Sequence, residues 1–354
     1  MFVQINYLIL LKFSESNDNL NLNILTLAEL SKLLNLSPTT VSRVLSGNSK
    51  KYRISDQTVK KVQEAAFKYK FIPNQVAQNL RLNRTNTIGL VIPDISNPFF
   101  ANLARKIEIE LRKRGKLILL CDTNEDTDLE NETISLMMSR KVDGLLIAPV
   151  GLSSYHLKNL KDLPTVFIDR YHKNLPIPYV STNNYEGAYQ ATKYLIEQNH
   201  KKISCLQGLA NTISNAERVR GFNQAIADFN MSTEDIKIIG SDFSLDNGYK
   251  SATDLLSNED IPTAFFALGN QIAFGALKAI KEKGLIVPDD ISLISFDEQP
   301  YFELTVPPIT TIKQPIELIG QYATEMLFDI INKKDVKSQL ILPTMIERNS
   351  VLSI

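Results

Sequence analysis

The chain has 354 residues and no net charge, with 39 basic and 39 acidic side chains. It contains three histidines and two cysteines, and none of them stands in metal-ligand or CxxC spacing. This composition gives no sign of a metal centre, so we predict no metal and no cofactor. Cys121 and Cys205 are predicted to be core thiols in a reducing cytosol.

Residues 1–24 form a leader with a short apolar run at 7–11 and an Asn/Ser/Asp-rich stretch. The run is too short to span a membrane, and no basic segment precedes it as in a signal peptide. We expect this leader to be disordered, or to precede a true start near Leu25. An intact mass that includes Met1 would contradict the second expectation.

Residues 25–72 predict three short helices. Thr26 and Glu29 form a capping box before a first helix, whose apolar face would carry Leu27, Leu30, Leu33 and Leu34. Ser37 caps a second helix with Pro38 at its first position, and Gly47 ends it. Ser55 or Asp56 caps the third, with Val59, Val62, Ala66 and Tyr69 turned inward.

The polar face of the second helix would carry small side chains and one arginine. Arg43 could donate two hydrogen bonds to a guanine edge, and Thr39 and Thr40 could contact a thymine methyl group or a phosphate. The alternative is that the three helices simply have a solvated polar face. Charge favours DNA: residues 25–84 carry a net charge of +8, and the remainder of the chain carries −8.

After the third helix, Pro73-Asn74 would begin a helix over 75–80. Six residues are too few for a helix that is stable alone in water, so it would form only when held by a partner. The alternative from the residues alone is a linker with one buried leucine. We expect residues 73–85 to connect the three-helix head to the remainder of the chain.

From Thr87 onward, apolar strands alternate with amphipathic helices. This alternation predicts parallel, doubly wound α/β sheets. A segment of about 270 residues is too long for a single hydrophobic core, so residues 86–354 should form two lobes. The predicted strands span 87–92, 117–121, 142–148, 165–169, 202–207, 236–239, 263–268 and 291–296. Helices are predicted at 99–114, 185–198, 214–229 and 270–283, among others.

Ligands of open α/β sheets bind beyond the carboxyl ends of the strands. Acids, amides, an arginine and aromatic rings follow several predicted strands, and this set suits a polyhydroxy ligand. Each could instead be a loop cap or a salt bridge between lobes. The candidates are Asp94, Asn97, Phe99, Asp122, Asp169, Arg170, Arg218, Phe243, Asn270 and Asp297.

Motifs along the chain resemble those of the lactose-repressor (LacI/GalR) family of bacterial regulators. They include LSPTTVSRVLSG, RISDQTVKKVQEA, IPNQVAQNLR, TNTIGLVIPDISNPFF, RKVDGLLIAP, RVRGF, VPDDISLISFD and PPITTIKQP. The resemblance covers nearly everything from Thr26 to the C-terminus. It implies a small all-α helix-turn-helix head plus an α/β part of two periplasmic-binding-protein-like lobes, with chain crossings near 183, 309 and 340.

The resemblance also assigns roles to residues. Residues 75–80 would be a hinge helix that pairs with its twin on DNA, with Leu80 wedged into the minor groove. Effector contacts would come from Asn97, Phe99, Asp169, Arg218, Phe243, Asn270 and Asp297, with Arg218 and Asp297 the strongest. DNA contacts would come from Thr26, Ser37, Pro38, Thr39, Thr40, Ser42, Arg43, Asn48, Tyr52, Asn74, Ala77 and Leu80.

Two positions depart from the family pattern. Gly269-Asn270 stands where many members have Asn-Asp, and Asn183-Asn184 stands where Asp-Asn is frequent. The effector specificity of a known family member is therefore not transferred to this chain.

The sequence predicts a cytoplasmic, dimeric transcriptional repressor that binds a near-palindromic operator and responds to a small molecule, most simply a sugar or sugar derivative. Three alternatives stay open: a purine or other metabolite as effector, a sugar receptor with a vestigial head, and an enzyme acting on a sugar. No P-loop, GxGxxG, GxSxG or HExxH motif occurs, so we predict no catalysis. No co-repressor protein can be derived from the residues.

Overall fold

A computed structural model describes residues 25–71, 84–151 and 154–354. The chain divides into two compact units, with the division between Asn83 and Arg84. We call residues 25–71 the head and residues 84–354 the body. The predicted contacts of Asn74, Ala77 and Leu80, and the predictions for the leader, lie outside the described residues.

The head consists of three helices, α1 (Leu27–Leu34), α2 (Pro38–Leu45) and α3 (Asp56–Lys68). The capping box at Thr26 and the Ser37 and Ser55 caps are present, as the sequence predicted. The small core of the head is formed by Leu30, Leu34, Val41, Val44, Val62 and Ala65. Two inward assignments are wrong: Leu33 is 57% exposed and Tyr69 is 41% exposed. Helices this short leave only a narrow strip against the core, so residues at the edge of the apolar face reach solvent.

The first lobe of the body is built on a six-stranded parallel sheet in the order β11-β5-β4-β3-β1-β2. Its strands are β1 (Thr87–Ile92), β2 (Leu117–Asp122), β3 (Gly144–Ile147), β4 (Thr165–Ile168), β5 (Tyr179–Thr182) and β11 (Gln339–Ile341). The helices of this lobe are α4 (Pro98–Lys113), α5 (Thr127–Ser139) and α10 (Ile316–Ile331).

The second lobe has a six-stranded sheet in the order β12-β10-β9-β8-β6-β7, in which only the β10–β12 pairing is antiparallel. Its strands are β6 (Ile203–Leu206), β7 (Lys237–Ile239), β8 (Ala264–Ala267), β9 (Ser292–Phe296), β10 (Thr310–Lys313) and β12 (Thr344–Ile346). Its helices are α6 (Asn184–Glu197), α7 (Ile213–Asp228), α8 (Leu245–Leu255) and α9 (Asn270–Glu282).

The chain passes between the two sheets three times. The first passage lies between Thr182 and Asn184. The second lies after Lys313 rather than near 309, because Thr310–Lys313 still pairs with β9. The third lies between Ile341 and Thr344, just beyond the predicted 340, because β11 continues to Ile341 in the first sheet.

The two cysteines differ in burial. Cys205 lies fully inside the second lobe, and Cys121 is only half-buried on β2, so the prediction of a core thiol is wrong for Cys121. Burial raises the pKa of both thiols. Among the residues that the structure describes, no helix has the length and apolarity needed to cross a bilayer.

Candidate functional site

The first turn of α2 presents small side chains on the surface of the head. Pro38 and Thr39 are exposed at this turn. The hydroxyl oxygen of Ser37 accepts a hydrogen bond from the backbone N–H of Thr40 at 3.1 Å, which satisfies one free donor of the helix end. In the same way, the Thr26 hydroxyl caps α1 through the backbone N–H of Glu29. These side chains therefore have structural roles in addition to the predicted contacts.

Arg43 extends from the last turn of α2 and is held by an aromatic ring. Its guanidinium carbon lies 3.8 Å from the centroid of the Tyr52 ring. Such stacking restricts the side chain but leaves its N–H donors available at the ring edge. Nearby, the Asn48 amide donates to the hydroxyl oxygen of Ser46 at 3.1 Å, which steadies the loop after α2. Ser42 is half-buried on the same helix.

Within the body, the predicted effector residues of the two lobes come together where the strands of each sheet end. Asn97 caps α4 of the first lobe, and Asn270 begins α9 of the second. The Asn270 side-chain amide donates to the Asn97 amide oxygen at 3.3 Å. The Arg170 guanidinium of the first lobe lies 5.7 Å from the Phe243 ring centroid of the second. Asn97, Phe243 and Asn270, three of the predicted effector residues, therefore lie at the junction of the lobes.

Arg218 is the centre of a buried polar network and is only 3% exposed. Its Nε donates to the Asn184 amide oxygen at 2.8 Å, and its Nη1 donates to the Leu268 carbonyl at 2.6 Å. Its Nη2 lies 3.8 Å from a carboxylate oxygen of Asp297. The guanidinium also stacks on Phe296, 3.7 Å from the ring centroid. Burial lowers the pKa of Arg218, and the Asp297 carboxylate opposes that effect.

Gln314 joins this network and was missing from the sequence-based site. Its amide nitrogen donates to Asp297, and its amide oxygen accepts from the Thr182 hydroxyl. Thr182 and Gln314 lie on two of the three passages between the lobes, so the network ties the site to the inter-lobe connections. The usable signal was the position of this glutamine inside PPITTIKQP, one of the motifs that carry the family resemblance.

Arg170 follows β4 and is held in place by a carboxylate of its own lobe. Its two terminal nitrogens donate to both carboxylate oxygens of Glu125, at 2.6 and 2.7 Å. The guanidinium lies between the rings of Phe100 and Phe243, at 5.5 and 5.7 Å. A bidentate, stacked arginine of this kind is rigid before any ligand binds.

The backbone of the site is strained at four non-glycine residues. Asp169 and Asp297 adopt φ of 60° and 74°, and Asn124 and Glu125 adopt 49° and 56°. Left-handed conformations cost non-glycine residues free energy, although Asp and Asn tolerate them best. Strain of this kind concentrates at functional sites, because surrounding structure must hold it in place.

Five buried polar atoms at the junction of the lobes lack a hydrogen-bond partner within the described part of the chain: Asp169 Oδ1, Arg170 Nε, Asn270 Oδ1, His172 Nε2 and Asn211 Oδ1. Buried polar groups are nearly always paired, so each unpaired atom is available to a ligand. Burial raises the pKa of Asp169 to about 6, although the nearby Arg170 and Arg218 lower it. The site thus holds one carboxyl group in an unfavourable, poorly solvated environment.

A cavity of about 240 Å³ opens between the lobes next to Arg170. It is lined by Pro149, Gly151, Arg170, Tyr171, His172, Lys173, Ala210, Asn211, Thr212, Ile213 and Ala216. At its edge, the Lys173 ammonium of the first lobe lies 3.0 Å from the Glu217 carboxylate of the second. This volume is slightly below the usual range for ligand pockets, and of the arginines and acidic residues of the site only Arg170 lines the cavity.

The two aromatic candidates differ in their surroundings. Phe243 covers Gly208, where a Cβ atom would lie only 2.3 Å from the ring, so glycine is required there. Phe99 is instead buried in the core of the first lobe and packs edge-on against Phe100. No group of three His, Cys, Asp or Glu that could hold a metal ion occurs among the described residues.

Comparison with known proteins agrees with this arrangement. The model described as "Bacterial regulatory proteins, lacI family" matches residues 26–74, and "Periplasmic binding proteins and sugar binding domain of LacI family" matches residues 85–348. The HTH-type transcriptional repressor PurR of Aliivibrio fischeri is 34% identical over 335 residues, covering 93% of this chain and 98% of that protein.

Two solved structures are also similar. The lac repressor dimer bound to operator and an anti-inducer has a TM-score of 0.84 and 24% identity, covering 93% of this chain and 99% of that one. A LacI family transcriptional regulator from Enterococcus faecium with bound ribose has a TM-score of 0.70 and 29% identity, covering 75% and 99%.

A helix-turn-helix head followed by two α/β lobes with polar residues at their junction defines a DNA-binding regulator with an effector-binding domain. The family models cover most of the chain, and the A. fischeri repressor is similar over nearly its full length. The chain belongs to the LacI family of bacterial transcriptional regulators, a family of DNA-binding proteins rather than enzymes.

Proposed function

We propose that this protein represses transcription by binding a near-palindromic operator as a homodimer, and that a neutral sugar or sugar derivative bound between the lobes controls it. The observation that carries the effector proposal is the set of unpaired buried atoms at Asp169, Arg170 and Asn270. They offer two acceptors and one donor near the strand ends of the two lobes, and ligand hydroxyl groups can both donate and accept.

The charges of the site support a neutral ligand. The described residues around it include three carboxylates, on Glu125, Asp169 and Asp297, and two guanidinium groups, on Arg170 and Arg218. Both arginines already face carboxylates of the protein. An added phosphate would meet an excess of negative charge in a poorly solvated site, and this repulsion disfavours sugar phosphates.

A purine effector is the second candidate, because the A. fischeri relative is named PurR. A flat base is best held between two aromatic faces. Phe243 is half-buried at the junction, whereas Phe99 is packed into the core of its own lobe. This difference supports a sugar, which needs one apolar face and several polar partners.

The mechanism couples two sites through the lobes. A ligand that prefers one arrangement of the lobes shifts the population toward it, and coupling of this kind typically amounts to about 1–3 kcal/mol. We propose that residues 25–72 read the major groove and that residues 73–85 form a hinge with Asn74, Ala77 and Leu80 at the minor groove. Residues 86–354 then bind the effector and dimerise.

A thermal-shift screen of the full chain tests the effector class. Neutral sugars, sugar phosphates and purine bases would each be added at a range of concentrations. A ligand present at 100 times its Kd stabilises the folded protein by about 2.7 kcal/mol, which is easily detected. We expect neutral sugars alone to raise the melting temperature. A shift from hypoxanthine or guanine, with none from sugars, would replace the sugar proposal with the purine one.

Replacing Arg43 by alanine tests the DNA-reading surface. We expect the variant to lose about 1–3 kcal/mol of affinity for a duplex selected in vitro by the wild-type chain, and to relax its base preference at one position. Lys60→Ala removes the same charge from an exposed position of α3. It should lower the affinity for all duplexes slightly and equally. Equal selectivity of Arg43→Ala and wild type, measured by fluorescence anisotropy, would contradict this assignment.

A further inference from the structure

The carboxylate of Asp143 binds the first residues of the body to the first lobe, together with the Lys141 carbonyl, which accepts from the Thr85 hydroxyl at 2.9 Å, and the Leu117 backbone N–H, which donates to the Asn86 carbonyl at 2.9 Å. The Asp143 side chain is 8% exposed and stands directly before β3. One oxygen accepts from the backbone N–H of Thr85 at 2.7 Å and from the Thr85 hydroxyl at 3.2 Å. The other accepts from the backbone N–H of Asn86 at 3.0 Å. Two successive backbone groups are therefore held by one side chain.

Lys116 completes this arrangement. Its ammonium lies 3.1 Å from the second oxygen of Asp143 and donates to the Asn86 side-chain oxygen at 2.9 Å. Asn86 adopts a left-handed φ of 54°, and these contacts stabilise that turn. Charge-assisted hydrogen bonds to a shielded carboxylate are stronger than ordinary ones, so the position of residues 85 and 86 on the sheet is well determined.

The strand that follows Asp143 leads to the effector site. β3 lies in the interior of the first sheet, between β1 and β4. Just beyond its carboxyl end, Pro149 and Gly151 line the inter-lobe cavity. Six residues therefore separate Asp143 from Pro149 in the cavity wall, a distance of about 20 Å for extended chain. A buried strand is stiff, so β3 is a rigid connection between the cavity wall and the carboxylate that binds residues 85 and 86.

We propose that Asp143 is a positioning residue for DNA binding: it fixes where the segment that leads to the head leaves the first lobe, and so lets lobe geometry act on that segment. This inference rests on the proposed DNA-binding function. It requires that loss of the carboxylate weakens specific DNA binding although the head itself is unchanged.

The test compares Asp143→Asn with wild type in the full-length chain. The asparagine has the same shape, but its amide nitrogen cannot accept hydrogen bonds from backbone N–H groups. The probe is a duplex selected by the wild-type chain from a randomised library, with a scrambled duplex of equal length as reference. We expect the Kd for the selected duplex to rise at least tenfold, with the scrambled duplex bound equally by both proteins.

Three controls make the outcome decisive. Glu132→Gln removes an exposed carboxylate from the same lobe and should bind as wild type does. Hydrogen exchange at the amides of residues 85 and 86 should accelerate in Asp143→Asn only. If Asp143→Asn fails to fold, Lys116→Met replaces it, with an expected threefold to tenfold rise in Kd.

Selected-duplex affinity within twofold of wild type would overturn the positioning role. An equal loss of affinity for both duplexes would also overturn it. If the wild-type chain itself enriches no sequence from the library, the proposed DNA-binding function has failed rather than the role of Asp143.

Discussion

Replacing Arg218 by methionine is expected to lower the free energy of unfolding of the body by about 3–5 kcal/mol, because one partner of a buried ion pair is removed. Asp297 would keep its contact with Gln314 but lose its cationic neighbour, and the Leu268 carbonyl and the Asn184 amide would lose donors. Methionine fills much of the volume beside Phe296, so the loss would reflect the polar network rather than a cavity.

The same substitution is expected to abolish effector binding. Arg218 faces Asp297 and stacks on Phe296, so without it Asp297 keeps Gln314 as its neighbour but loses the cation that faces it at the junction of the lobes. Binding of whichever sugar stabilises the wild-type chain would be measured by calorimetry at a temperature at which the variant is folded. Arg218→Lys keeps the charge but not the planar fork, and should recover only part of the stability.

Arg220 provides the matched control for this experiment. It lies two residues later on α7, its side chain is 58% exposed, and it pairs with Glu217. Arg220→Met should cost at most about 1 kcal/mol, as is usual for exposed ion pairs. Equal destabilisation of the two variants in urea denaturation would refute the central role of Arg218.

Replacing Asp169 by asparagine is expected to stabilise the protein at neutral pH. The pKa of Asp169 rises from its ordinary value of 3.8 to about 6 in the folded state. Between these pH values the folded protein binds more protons than the unfolded one, so its stability falls as the pH rises through this window. Well above pH 6 the folded protein bears the full free-energy cost of holding the charged Asp169 carboxylate. A pKa shift of this size corresponds to about 2–3 kcal/mol of stability.

The predicted gain therefore depends on pH. Asp169→Asn should be more stable than wild type by about 2 kcal/mol at pH 7.5, and the difference should vanish near pH 4. Asparagine tolerates the left-handed backbone at this position, so the substitution adds little strain. Urea denaturation at several pH values would measure the effect. Asp162→Asn, the same substitution at an exposed position of the same lobe, is the matched control.

This stabilisation should be accompanied by weaker effector binding. A carboxylate that is costly in the folded protein is typically retained for function, here as an acceptor for ligand hydroxyl groups. We expect the affinity for the stabilising sugar to fall at least tenfold. A variant that is more stable and binds the sugar as well as wild type does would remove Asp169 from the site.

Much of the architecture could be predicted from local patterns. Caps at Thr26, Ser37 and Ser55 defined the head helices, and apolar runs defined eight of the twelve strands in the described residues. The strands that were missed, β5, β10, β11 and β12, have only three or four residues and carry polar side chains. β3 and β8 are equally short but apolar throughout, so the polar side chains rather than the length removed the signal, and pairing with neighbouring strands makes these segments strands.

The sequence by itself determined the fold class, the charge separation between head and body, and which strand ends carry polar residues. The tertiary structure decided which of those residues act together. It joined Gln314 to Asp297, placed Arg170 between two rings, and buried Phe99 in a core. The physical reason is that helix and strand patterns are local, whereas burial, pKa and pairing arise from groups that lie far apart in the chain and meet only after folding.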